Sequence, residues 1–187
     1  SRLSFSARYQ ITDALAVGMS AFRQDTDQDY DGYIDTNANG FGDTLADLNN
    51  TLARTETGAR VFAELSAGQT DHQFNLSTFD SKRNPTDENG SSTFKGKRLA
   101  FGYQGTTTIN SALSLIYGAD WTKETADYDN LPAGTADTEI AGAFLQALYA
   151  PSDVLDLSAV IRTDRNSSFG SFTTGRLAAA WRPFSDT

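Results

Sequence analysis

The feature that most constrains this chain is a hydrophobic period of two. Leu3, Phe5, Ala7, Tyr9 and Ile11 alternate with Arg2, Ser4, Ser6, Arg8 and Gln10. Successive side chains of an extended strand point to opposite faces, so this pattern specifies a strand with one dry and one wet face. It returns in Leu15, Val17, Met19 and Ala21, then in Ala59, Val61, Ala63 and Leu65, then in Phe74 and Leu76. Leu99, Phe101 and Tyr103 follow, then Leu113, Leu115, Tyr117, Ala119 and Trp121. The last three segments are Ala141 to Tyr149, Leu155 to Ile161 and Leu177 to Trp181. About nine strands are predicted, and no segment carries the 3.6-residue period of an amphipathic helix.

The connections alternate in length. Short breaks are predicted near Thr12-Asp13, Gly68 to Asp71, Thr106 to Asn110 and Pro151 to Val154. Long polar connections are predicted over about Gln24 to Asn50, Lys82 to Gly90, Thr122 to Asp137 and Asn166 to Ser171. The expected fold is therefore all-β, an antiparallel up-and-down meander. Tight turns at one end and long loops at the other suit a transmembrane β-barrel with short periplasmic turns and long extracellular loops. The wet face, rich in Arg, Glu, Ser, Gln and Gly, suits a watery lumen. Tyr9, Tyr117, Trp121, Tyr149 and Trp181 fall towards strand ends, as interfacial aromatics do. A soluble antiparallel sandwich is the alternative.

Composition excludes several functions. The chain has 15 basic and 24 acidic side chains, a net charge of −9, which disfavours a nucleic-acid backbone as partner. It has no cysteine and a single histidine, His72. Disulfides, thiolate catalysis, cysteine-ligated metals and histidine-based triads are thereby set aside. His72 reads as an exposed turn residue. No nucleophile–base spacing suggests an enzyme. Arg60, Arg98, Arg162, Arg176 and Arg182 share the wet face, where Glu56, Glu64, Asp120 and Asp156 are expected to balance them.

The sharpest local motif lies in the first long connection, residues 25–50. Asp27, Asp29, Asp31, Gly32 and Asp35 match the first, third, fifth, sixth and ninth positions of a calcium loop. The spacing restarts at Asp35 with Asn37, Asn39, Gly40 and Asp43. A hard divalent cation takes roughly six to eight oxygens, which alternate carboxylates on a tight turn can supply. The twelfth position from Asp27 is Ala38 rather than glutamate, so an ordinary EF-hand is disfavoured. Further ligands could come from Asp25, Asp43 or Asp47, or from Asp80 and Asp87 in the next loop. Calcium is the expected cofactor.

Three C-terminal stretches carry a family resemblance: Phe144 to Tyr149, Leu155 to Gly170 and Thr174 to Pro183. A strand ending in Arg-x-Asp, a loop with Ser-x-Phe-Gly and a strand closing on an aromatic and Arg-Pro resemble the barrel of TonB-dependent outer-membrane receptors. Ile116-Tyr-Gly-Ala-Asp-Trp-Thr122 and the acidic first loop are most similar to the family's cobalamin (vitamin B12) transporters. The resemblance implies a barrel of about 22 strands closed around a plug. It also implies energy from TonB, a large nutrient such as cobalamin or a metal chelate as cargo, and calcium-ordered outer loops. Residues 1–187 are then expected to be a single barrel segment without plug or TonB box. Outer-membrane lipid is the expected surroundings, and the open edge strands are expected to favour self-association. The rival expectation is a self-contained calcium-stabilised β domain that binds a partner or glycan.

Overall fold

In the computed structural model, which describes residues 1–38, 40–88, 90–129 and 135–182, the chain forms one antiparallel sheet. The strands are β1 (Arg2–Thr12), β2 (Leu15–Ile34), β3 (Thr44–Ala67), β4 (Thr70–Asp87), β5 (Gly90–Ser91), β6 (Phe94–Asn110), β7 (Leu113–Tyr128), β8 (Thr135–Ser152), β9 (Leu155–Asn166) and β10 (Gly170–Trp181). Each long strand pairs with its neighbours in sequence, and the two-residue β5 hangs on the end of β4. The nine long strands match the sequence expectation, and β1 and β10 are the sheet's edges.

Two-residue turns join β1 to β2, β3 to β4, β6 to β7 and β8 to β9, all at one end. Local side chains set several hairpins. The Thr12 hydroxyl accepts from the backbone N–H groups of Ala14 and Leu15 at 3.2 and 3.1 Å. Asn110 does the same for Ala112 and Leu113, both at 2.9 Å. Gly68 takes a φ of 63°, a left-handed conformation that costs glycine nothing.

The long connections differ from expectation. Residues 25–34 are not a loop, because β2 continues through them in register with β3: Asp25 faces Thr55, Asp27 faces Ala53 and Asp29 faces Thr51. The connection reduces to a tip over 35–43. Likewise β4 runs to Asp87 and β7 to Tyr128. The physical reason is that the backbone ladder needs no hydrophobic face. Where both faces meet water the period-two signal vanishes, but paired N–H and C=O groups and threonine-rich strands carry the hairpin on.

The register joins the apolar positions into one surface. Ala7 faces Met19, Met19 faces Val61, Val61 faces Leu76 and Leu76 faces Phe101. Phe101 faces Trp121, Trp121 faces Ala141, and further along Leu145 faces Ile161. Among the described residues no second layer covers this face. Among the described residues Ala16 is the one buried apolar side chain, while Leu145 is 48% and Leu177 84% exposed. A soluble sandwich would bury such a face against another sheet. A contiguous apolar surface of this extent marks contact with another apolar phase. Its apolar segments, such as 113–121 and 141–149, have the length of about 9–11 residues that a tilted strand needs to cross a bilayer.

Candidate functional site

The opposite, polar face carries the chemistry. Its centre is an ionic bridge across three strands. Arg162 of β9 donates through its two terminal nitrogens to Asp120 of β7, at 2.7 and 2.9 Å. It also donates to Asp164 of its own strand, with Nη2 to Oδ1 at 2.6 Å. The intervening strand contributes Gly142, paired with both Asp120 and Asp164. A β-carbon at Gly142 would lie 2.2 Å from Arg162 Nη2 and 2.5 Å from Asp164 Oδ1. Glycine is thus the opening through which the guanidinium crosses β8. Asp120 is among the expected balancing acids; the roles of Gly142 and Asp164 depend on the register of three strands, which the sequence pattern does not carry.

Glycines also seat aromatic rings on this face. Gly18 lies opposite Phe62, Gly58 opposite Phe22 and Gly118 opposite Phe144. In each pair a β-carbon on the glycine would meet the ring within 2.6 Å. A ring that folds over a cross-strand glycine covers its exposed backbone, the arrangement known as aromatic rescue.

The other basic groups divide. Arg8 pairs with Glu64 at 2.8 Å, Arg182 pairs with Asp156, and Arg54 with Glu56. Arg98 Nε stands 3.4 Å from Glu124 Oε1. Arg60 departs from the expected balance: its guanidinium lies 5.3 Å from the Phe62 ring centroid, and no carboxylate among the described residues pairs with it. His72 is also corrected. It lies in β4 on the apolar face, where its Nδ1 is 2.9 Å from the Tyr103 hydroxyl and its ring stacks beside Phe74 and Tyr103. Its parity with Phe74 and Leu76 was the signal for that placement.

The carboxylates assigned to calcium are distributed along the outer hairpins. Asp25, Asp27, Asp29 and Asp31 belong to β2, Asp80 and Asp87 to β4. Asp25 accepts from Arg23 Nε and Nη2, each at 2.8 Å, and from the Thr55 hydroxyl at 2.8 Å. These bonds, Arg23's first, hold its pKa below the usual carboxylate range. Asp80 faces Lys97 at 3.9 Å. At the tip, Asp35 accepts from the backbone N–H groups of Asn37 and Gly40 at 3.1 and 2.6 Å. Asp43 accepts from the hydroxyl and backbone N–H of Thr36 and from the Thr44 hydroxyl, which also lowers its pKa. Asn39 lies outside the described residues, as does Pro183 of the C-terminal motif. Among the described residues no three carboxylate or imidazole groups come together in a way that could hold a metal.

No protein-family model matches the chain, and no curated protein matches it in sequence. Solved structures do match its fold. The siderophore receptor PirA from Pseudomonas aeruginosa superposes with a TM-score of 0.79 at 16% identity, over 97% of this chain and 30% of that one. A mutant of the ferric enterobactin receptor PfeA from Pseudomonas aeruginosa gives 0.78 at 14% identity, over 98% and 31%. The iron transporter FrpB from Neisseria meningitidis gives 0.75 at 11% identity, over 98% and 35%. The chain thus has the fold of a segment of these receptors, an up-and-down meander of membrane-barrel type. It spans about a third of their length.

Proposed function

We propose that this chain is part of the wall of a TonB-dependent outer-membrane receptor, a transport barrel rather than a catalyst. The observation that carries the reading is the apolar face that runs through the register of nine strands and, among the described residues, has no protein layer over it. Lipid is the partner such a face fits, and water and cargo share the polar face. The edges β1 and β10 then pair with further strands of a longer barrel, whose lumen holds a plug that TonB acts on. The receptor likeness favours an iron chelate as cargo. Cobalamin, implied by the Gly118-Ala119-Asp120-Trp121 resemblance, is the competing cargo.

The two tryptophans test the wall. Trp121 and Trp181 lie on the apolar face at opposite ends of the apolar belt, Trp121 on the long-hairpin side and Trp181 on the turn side. In bilayers of brominated phospholipid both are expected to lose fluorescence to the bromine. Quenching by aqueous acrylamide with none by bromolipid would overturn the reading in favour of a soluble β domain. Cargo is tested by uptake of radiolabelled ferric siderophore and cobalamin after deletion of the receptor gene that encodes this segment. Loss of iron-chelate uptake supports the favoured cargo, loss of cobalamin uptake alone moves the assignment, and loss of neither sinks transport.

A further inference from the structure

One patch of the apolar face is polar. Thr70 faces Thr107, His72 faces Gly105, Gly105 faces Tyr117, and Tyr103 lies beside them opposite Phe74. Leucines enclose the patch: Leu65 faces His72, Leu115 faces Thr107 and Leu145 faces Tyr117. Gly105 lets the two phenols converge. A β-carbon there would lie 2.6 Å from the Tyr117 ring and 2.9 Å from the Tyr103 hydroxyl.

The hydroxyls bond within the patch. That of Tyr103 lies 2.9 Å from His72 Nδ1, that of Tyr117 3.3 Å from the Thr107 hydroxyl, and the Thr107 and Thr70 hydroxyls are 2.8 Å apart. An interfacial tyrosine ordinarily sends its hydroxyl to water; these two are spent on neighbouring side chains. His72 is the open end. A phenol that donates to Nδ1 leaves the neutral ring's proton on Nε2. Among the described residues no protein group bonds that nitrogen. The ring is braced beside Phe74 and Tyr103, with centroids 6.3 and 6.0 Å away. An N–H that meets hydrocarbon without an acceptor is costly, so the lipid phase itself must supply one. The carboxylate next in sequence, Asp71, stands on the opposite face and takes the Ser66 hydroxyl at 2.6 Å, so it does not oppose an anion at His72.

The height of the patch names the acceptor. Thr70 directly follows the two-residue turn between β3 and β4, and His72 lies two residues, about 7 Å, further on. The head-group zone of a bilayer takes up roughly 5–8 Å on each side of the hydrocarbon. We propose that His72 anchors a phospholipid: its Nε2–H donates to a phosphodiester oxygen, and the acyl chains run along the apolar face beside Leu65 and Phe74. The proposal rests on the wall reading above, which puts the short turns on the periplasmic side, where the leaflet is phospholipid. A phosphodiester carries a full negative charge and so accepts more strongly than an ester carbonyl of the same lipid.

The test uses the full-length receptor that carries this segment, purified in nonionic detergent and stripped of lipid. It is titrated with dioleoyl phosphatidylethanolamine and, in parallel, with dioleoylglycerol, which has the same chains and no phosphate. Lipid occupancy is read by native mass spectrometry. The first phospholipid is expected to bind at least about tenfold more tightly than dioleoylglycerol, as one hydrogen bond to a charged acceptor provides. His72→Phe, which keeps an aromatic ring towards lipid, should weaken the phospholipid about tenfold and leave dioleoylglycerol unchanged. His72→Gln, which keeps an N–H donor, should weaken it less. Tyr103→Phe should also weaken it, because the ring's proton is no longer held on Nε2. Gln104→Ala, on the opposite face against Gln73, should leave it unchanged. Equal affinity for the two lipids, or indifference to both His72→Phe and Tyr103→Phe, would overturn the proposal. So would displacement of the phospholipid by inorganic phosphate, which would assign the patch to a free anion. The bromolipid measurement on Trp121 and Trp181 keeps the two readings apart. Quenching without a head-group preference removes the His72 site and leaves the wall; absence of quenching removes both.

Discussion

Arg162 reaches Asp120 over a strand that neither residue belongs to. The guanidinium leaves β9, passes above Gly142 of β8 and places both terminal nitrogens on the Asp120 carboxylate of β7. The buried Asp164 fixes its near side. Exposed ion pairs such as Arg8–Glu64 are worth roughly 0–1 kcal/mol. A bidentate, partly buried bridge is worth about 1–3 kcal/mol.

The first prediction concerns that opening. Gly142→Ala should push Arg162 off Asp120, because the new β-carbon takes the space of Nη2. A double-mutant cycle between Arg162→Gln and Asp120→Asn, read by urea unfolding in lipid, should give a coupling of about 1–2 kcal/mol in the native background. In the Gly142→Ala background the coupling should fall near zero. An unchanged coupling would mean that the bridge re-forms by another path.

The second prediction separates the faces. Leu145 sits midway along the apolar segment of β8, between Tyr117 and Ile161. Leu145→Arg should cost about 2–4 kcal/mol of stability in phospholipid bilayers, the cost of a cation near the bilayer midplane. Gln73→Arg, on the polar face opposite Gln104, should change stability by no more than about 0.5 kcal/mol. Equal costs would contradict the assignment of faces.

The third prediction is one of pH at the hairpin tip. Asp43 holds Thr36 and Thr44, and its pKa is lowered from 3.8, chiefly by the Thr36 hydroxyl and then by the Thr36 N–H. A lowered folded pKa means that the carboxylate's contribution is complete above the ordinary value and is lost as pH falls through the lowered one. The Thr36 amide resonance should stay constant from neutral pH to about pH 5 and move below the ordinary carboxylate pKa. Asp43→Asn should abolish that movement. A transition near neutral pH would assign the tip to another group.

How much of this was legible in the sequence depends on what each strand face meets. Where one face meets lipid and the other water, as at Leu3 to Ile11, alternation is enforced residue by residue and the strands could be read directly. Past Ala21 in β2 both faces meet water, so Asp25 to Ile34 carried no period and read as a loop although the ladder continues. The balancing of Arg162 by Asp120 was partly legible from charge and parity. Gly142 was not, since its role comes from two strands that flank it in space. The phenylalanines over Gly18, Gly58 and Gly118 were hidden for the same reason, and so was the carboxylate-free surround of Arg60.

The last prediction returns to the acidic hairpin. In β2 alternate residues stand about 6.6 Å apart, so Asp25 and Asp29 are separated by about 13 Å along the strand. Two oxygens that share one calcium ion, each about 2.4 Å from it, are at most about 5 Å apart. Short aspartate side chains cannot close that difference while the strand stays paired with β3. Asp25 is already engaged by Arg23 and Thr55, and Asp35 and Asp43 by the backbone of the tip. Calorimetric titration of the chain with calcium is therefore expected to show no saturable heat at micromolar concentrations. The tip order, followed by the Thr36 amide, should not respond to a chelator. Saturable heat that disappears in both Asp27→Ala and Asp31→Ala would support calcium binding in this hairpin. It would also require the β2–β3 hairpin to open at its bulge between Tyr30 and Gly32, the one place where its register already shifts.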